Sequence, residues 1–190
     1  DYFKGIFEPI NRAIKPFDKE NILDHHFLNS RGAIARFDRN AIEIRVIDIQ
    51  ECPKADLAIA VLLVEVLKLL VSEELISLED QKKWHENDLF EIFNAVIVDA
   101  EETRIGNKKY LDVFDLQKTS TVQEIWSRLY AEVKGNISDK HQKNIEFLLQ
   151  NGSLSTRILR ALGANFSEEK ITEVYKELGK CLAKNKFFRN

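Results

Sequence analysis

The chain has 190 residues, 44% of them hydrophobic and 31% charged, with a formal net charge of −3 at pH 7. That length holds one ordinary core plus a helical extension and excludes two large independent domains. The composition excludes a disordered chain, and the near-neutral charge balance gives no electrostatic ground for a nucleic-acid partner.

In chain order, residues 3–14 carry apolar side chains at Phe3, Ile6, Phe7, Ile10 and Ile14, a helical spacing that Pro9 kinks or restarts and Pro16 ends. The stretch FDKENILDHHFLN is expected to be a loop or a short helical turn. The pattern then changes to GAIARF, a connection at or close to DRNA, and IEIRVID, which predicts a β-hairpin over about 32–48. Alternation puts Ile42, Ile44 and Val46 on one face, expected to be core, and Glu43 and Arg45 on the other. A lone two-stranded hairpin is unstable in water, so further strands are expected from preceding residues or from another chain, which leaves a homo-oligomer open.

After Pro53 almost everything reads as helix. Pro53 opens a helix whose apolar positions continue through Leu70, with Asp56 in its first turn. Residues 77–97 are expected to form one helix opening with SLED, and 98–120 to be irregular. Helices are predicted over 121–133, 138–149 and 167–182, with a shorter one at 155–162, the breaks being NGS and LGAN. The expected division is 1–72 as the C-terminal part of an α+β domain and 73–190 as a helical extension packed on it.

Cys52 and Cys181 lie in no metal-ligand spacing and are expected to be isolated, buried or half-buried thiols, as in a cytoplasmic protein. The apolar run 57–71 is interrupted by Glu65 and Lys68 and falls short of the roughly 20 residues a bilayer requires, so no membrane partner is expected. No signal-peptide pattern opens the chain. The absence of methionine fits either a piece of a longer protein or a sequence from which methionines have been lost.

The chemistry concentrates around the hairpin, which carries Arg31, Arg36, Glu43 and Arg45, with Asp48 and Glu51 shortly after. One explanation is a cross-strand salt bridge on a solvated face. The other starts from the excess of arginine: a guanidinium fork suits phosphate and carboxylate oxygens, and a glutamate on the same face would hold Mg²⁺ against them. Arg31 and Arg36 are five positions apart and would point to opposite faces of a regular strand, unless a bulge intervenes or Arg31 precedes the strand.

The stretch NSRGAIARFDRNAIEIRVIDIQECPKADLAIAVLL resembles bacterial carboxylate-amine ligases of the glutamate-cysteine ligase type 2 family, within the glutamine synthetase superfamily. The residues carrying the likeness are Asn29, Ser30, Arg31, Arg36, Glu43, Arg45, Asp48 and the helix beginning near Ala55. The resemblance implies an antiparallel sheet of glutamine synthetase type and a reaction in which ATP phosphorylates a carboxylate and an amine then attacks the acyl phosphate. It implies ATP and Mg²⁺ as cofactors and small-molecule amino acid substrates. It makes Glu43 a Mg²⁺ ligand, sets Arg45 against the transferring phosphoryl group or a substrate carboxylate, and lets Arg31 and Arg36 stabilise phosphate charge. The family's Glu-x-Glu strand is absent from these residues, so about half of an active site is expected and an isolated piece should be inactive.

Elsewhere the residues read as structural. His25 and His26 beside Asp24 are assigned to packing or hydrogen bonding rather than to a metal, because neighbours on a loop rarely aim at one ion. His85 and His141 are expected in solvent, Trp84 and Trp126 in helix packing, and the basic, aromatic end KCLAKNKFFRN as a dipole-compensating helix terminus. The alternative function is a non-catalytic helical interaction domain whose hairpin pairs with another chain.

Overall fold

The apolar spacing near the start produces a π-helical turn, Phe3–Phe7, that runs directly into α1, Glu8–Ile14. Pro9 falls in the first turn of α1, where its missing N–H costs nothing. The computed structural model describes residues 1–189, which form two units, Asp1–Ile49 and a larger one beginning at Gln50.

In the first unit, Asp24 ends an extended segment and its carboxylate accepts the His26 backbone N–H at 2.6 Å, capping the short helix α2, His25–Leu28. Strands β1, Ala33–Arg36, and β2, Ala41–Ile44, pair antiparallel with Ile34 opposite Glu43. Their connection is Phe37–Asn40, one residue earlier than expected, and Asn40 supplies the left-handed backbone (φ 49°) that reverses the chain. The hairpin is shorter than 32–48: β2 stops at Ile44, and one further bond, from the Arg45 N–H to the Gly32 carbonyl at 2.8 Å, extends the ladder.

The expected core face is overturned. Ile42 is 60% exposed and Val46 53%, whereas Ile34 is buried and Arg36 is only 7% exposed. The cause is what covers the sheet. Arg45 reaches the carbonyls of α2 from the charged face, so α2 lies over that side. Phe7, itself buried, packs its ring against Tyr2, Phe37, His25 and His26. Charges are sheltered because they are paired, and the aliphatic side is left without cover from its own unit.

The second unit is built around α3, Pro53–Val71, which packs on α7, Val122–Val133, and α8, Asp139–Asn151. Its core joins Ala58, Leu62 and Val66 of α3 to Ile125, Leu129 and Val133 of α7 and Ile145 of α8. The helix expected over 77–97 is two helices, α4, Leu78–Lys82, and α5, Glu86–Asp99. His85 separates them in extended conformation; it is exposed, as expected, and its ring also accepts the Asn87 N–H to cap α5. The segment 98–120 is ordered rather than irregular, with β3, Arg104–Ile105, paired to β4, Ser120–Thr121, and α6, Lys108–Asp112, between them.

Thr121 opens α7 with a capping box, its hydroxyl accepting the Glu124 N–H while the Glu124 carboxylate accepts the Thr121 N–H. Two more helices, α9, Leu154–Leu162, and α10, Glu168–Lys184, complete the unit close to the expected bounds. The terminal segment is not a mere helix end. Asn185 turns left-handed (φ 49°), after which Phe187 packs with Cys52, Ala55 and Phe147, and Phe188 with Val174 and Cys181. Both thiols are free and buried, and burial pushes both above the ordinary thiol value. The fold is therefore mixed α+β, mostly helical with two small antiparallel sheets, and no helix among the described residues is long and apolar enough to cross a membrane.

Candidate functional site

The hairpin register decides which charges meet. Since Ile34 lies opposite Glu43, the side chains of Ile34, Arg36, Glu43 and Arg45 share one face. Glu43 sits between two guanidinium groups: one carboxylate oxygen accepts from Arg36 Nη1 at 2.6 Å, the other from Arg45 Nε at 2.7 Å. Arg36 also forks onto Asp38, Nε and Nη2 donating to the two carboxylate oxygens at 3.0 and 2.9 Å. Arg45 turns its remaining donors to the carbonyls of Asn29 at 2.7 Å and His26 at 2.8 Å, satisfying groups that the end of α2 leaves without helical partners.

This pairing sets the local titration. Hydrogen bonds from Arg36 and then Arg45 hold the Glu43 carboxyl below its usual range, and Arg36 pulls Asp38 down to about 2. The same contacts, from Asp38 first and then Glu43, raise Arg36. Glu43 therefore stays ionised at neutral pH, and each oxygen keeps lone-pair capacity beyond its arginine bond.

Of the sequence-predicted residues, Glu43, Arg36 and Arg45 are brought together. Arg31 lies ahead of β1, exposed, with Nη1 donating to Asn29 Oδ1 at 3.2 Å and no carboxylate partner among the described residues. The facing difficulty between Arg31 and Arg36 resolves this way, since Arg31 precedes the strand and Arg36 shares the Glu43 face. Asn29 is fully buried and ties the site to the chain's beginning, donating from Nδ2 to the Tyr2 hydroxyl at 3.0 Å.

Two members escaped sequence reasoning. Asp38 falls in the expected DRNA connection, and the Arg-x-Asp spacing around that turn is what permits the fork. The Tyr2 hydroxyl, which also accepts the Ala35 N–H at 3.3 Å, sits 33 residues from the strand it braces, beyond any local pattern.

Glu51, also near the hairpin in sequence, belongs to a different structure. Its carboxylate accepts from Arg157 Nη1 at 2.5 Å and Nη2 at 3.3 Å and from the Phe188 N–H at 3.1 Å, with both charged side chains buried. That pair is structural. A surface depression lined by Lys143, Glu146, Phe147 and Arg189 lies wholly within the second unit, and Phe147 there stacks on Phe187 at 4.2 Å.

Comparison with known proteins adds length but no activity. An uncharacterized protein of Archaeoglobus fulgidus is 27% identical over 184 residues, which is 97% of this chain and 42% of that protein. The chain thus spans less than half the length of the relative it matches. No family model matches the sequence, and no solved structure matches it.

Proposed function

We propose that the chain is part of an ATP- and Mg²⁺-dependent carboxylate-amine ligase of the glutamate-cysteine ligase type, on a sheet of glutamine synthetase kind. The observation that carries the proposal is Glu43 held ionised between Arg36 and Arg45 on one sheltered face, with Arg31 exposed ahead of β1 and bonded to Asn29, whose carbonyl Arg45 also reaches. A carboxylate is a poor acyl donor; phosphorylation of its oxygen by ATP, with ADP leaving, makes phosphate the leaving group. An amine nitrogen then attacks the acyl carbon, losing a proton as phosphate departs and the amide forms. The protein's task is to position two anionic reactants and neutralise the oxygens of the transferring group.

Glu43 fits a Mg²⁺ role because it is a hard oxygen ligand kept in its charged form, and such an ion would share charge with phosphate oxygens. Arg36 fixes the Glu43 carboxylate from the neighbouring strand. Arg31, with no carboxylate partner among the described residues, is the guanidinium best placed to donate to a substrate carboxylate or phosphate. Arg45 is more constrained, because three of its bonds brace Glu43 and the α2 carbonyls, so it orders the site and presents positive charge. The remaining metal ligands and the nucleotide pocket would come from residues outside this chain, in keeping with a relative more than twice as long.

A second reading has its own support: Arg36 and Arg45 are saturated by Glu43, Asp38 and main-chain carbonyls, which a non-catalytic interaction domain would also show. Assaying ADP release and amide formation by the full-length protein, with glutamate and a panel of amines, separates the two. The ligase predicts that Glu43→Gln lowers kcat by roughly 10²-fold or more, the scale of losing one charge-stabilising group. Arg31→Ala should mainly raise KM. Unchanged turnover in Glu43→Gln removes the ligase assignment of this site, and wild-type protein without ADP release favours the interaction domain.

A further inference from the structure

We propose that Asp24, His25 and His26 form a binding site for a divalent transition-metal ion of the zinc class, separate from the Mg²⁺ chemistry assigned to Glu43. Each of the three offers one ligand atom, and these atoms lie within 4.8 Å of one another. Donors at about 2.1 Å around a tetrahedral ion sit roughly 3.4 Å apart, so small side-chain rotations close the set. Residues adjacent in sequence seldom converge on one ion. Here they do, because Asp24 is the extended cap of α2 and its backbone turn folds both imidazoles back beside the carboxylate.

Both rings are held before any ion arrives. They lie against the buried ring of Phe7, with centroids 4.1 Å (His25) and 4.9 Å (His26) away, and 4.3 Å from each other. His25 Nδ1 is 3.0 Å from Asn11 Oδ1, an acceptor only, so Nδ1 carries the proton and Nε2 keeps its lone pair. His26 has Nδ1 2.9 Å from Asp24 Oδ1, while its Nε2 faces Asp38 at 3.6 Å. An ion bound through Nδ1 would replace the hydrogen shared with Asp24 and leave Nε2–H directed at the Asp38 carboxylate. Each imidazole would then have an outer acceptor that fixes its tautomer, Asn11 for one and Asp38 for the other, as ligating histidines ordinarily do.

Two imidazoles and one carboxylate favour zinc, cobalt or nickel over magnesium, which prefers an all-oxygen shell. Three protein ligands leave a fourth position open to water or substrate, and the Asp24 side chain, about half exposed, leaves the site accessible.

The test is titration of the metal-free chain with Co²⁺, followed by its visible absorption, and then displacement by Zn²⁺. One Co²⁺ per chain with an intense tetrahedral-type spectrum is expected, displaced by stoichiometric Zn²⁺ and unaffected by millimolar Mg²⁺. His25→Ala and His26→Ala should each weaken binding at least tenfold, and Asp24→Asn, which retains an oxygen to cap α2, should also weaken it. Circular dichroism of each variant separates lost ligation from lost folding. Absence of binding to the wild-type chain, or equal binding by the folded Asp24→Asn and histidine variants, overturns the site.

Discussion

Arg36 meets two carboxylates at once, and the acid behaviour of the hairpin follows from that. Asp38 is held at about 2, below its ordinary value near 3.8, by the Arg36 fork, so its contribution to stability is complete above pH 4 and disappears as pH falls through about 2. Glu43 shifts in the same direction for the same reason. Carboxyl NMR titration should find Asp38 protonating near pH 2, and Arg36→Met should return it toward the free value of about 3.9. The sequence displayed the charged residues themselves, because alternation puts Glu43 and Arg45 on one side. It did not display their partners: Asp38 is reached around a turn whose start lay one residue off, and Arg45 is satisfied by carbonyls of a helix four residues long. Which strand face is sheltered depends on what lies over it, and alternation is blind to that.

Helix positions were largely legible, because caps and apolar spacing are local. The elements 121–133, 138–149, 155–162 and 167–182 come within about two residues of α7 to α10. The failures are tertiary. The expected helix over 77–97 breaks at Trp84 and His85, where the indole packs edgewise on Tyr110 at 6.0 Å with the Lys109 ammonium 4.1 Å from its ring centre. The break NGS was visible, but not what it accommodates. Gly152 ends α8 with φ +82°, and a Cβ there would run into the Glu101 carboxylate. Its ψ of 179° puts it in a region open almost only to glycine, so Gly152→Ala should cost about 1–3 kcal/mol of strain plus displacement of Glu101. Urea unfolding should show that loss, and pairing the change with Glu101→Ala should recover part of it.

At the scale of the whole chain, the second unit is closed by a contact that no local signal announces. Glu51 and Arg157 are 106 positions apart, and their buried pair also binds the Phe188 main chain through N–H and carbonyl. Arg157→Met leaves the Glu51 charge buried without its partner and should cost about 3–5 kcal/mol, read from urea midpoints. Glu51→Gln combined with Arg157→Met should be less damaging than Arg157→Met alone, because no unpaired charge remains while an acceptor for the Phe188 N–H is kept. The α+β class was readable from one hairpin among many helices; the linkage of the chain's end to the start of α3 was not. That linkage also makes the molecule its own clock. Phe187 seals Cys52 and Phe188 seals Cys181, and both thiols are poor nucleophiles while sealed. The rate at which a small alkylating reagent labels them therefore counts how often Phe187 and Phe188 lift away, a fluctuation that bulk unfolding would average out.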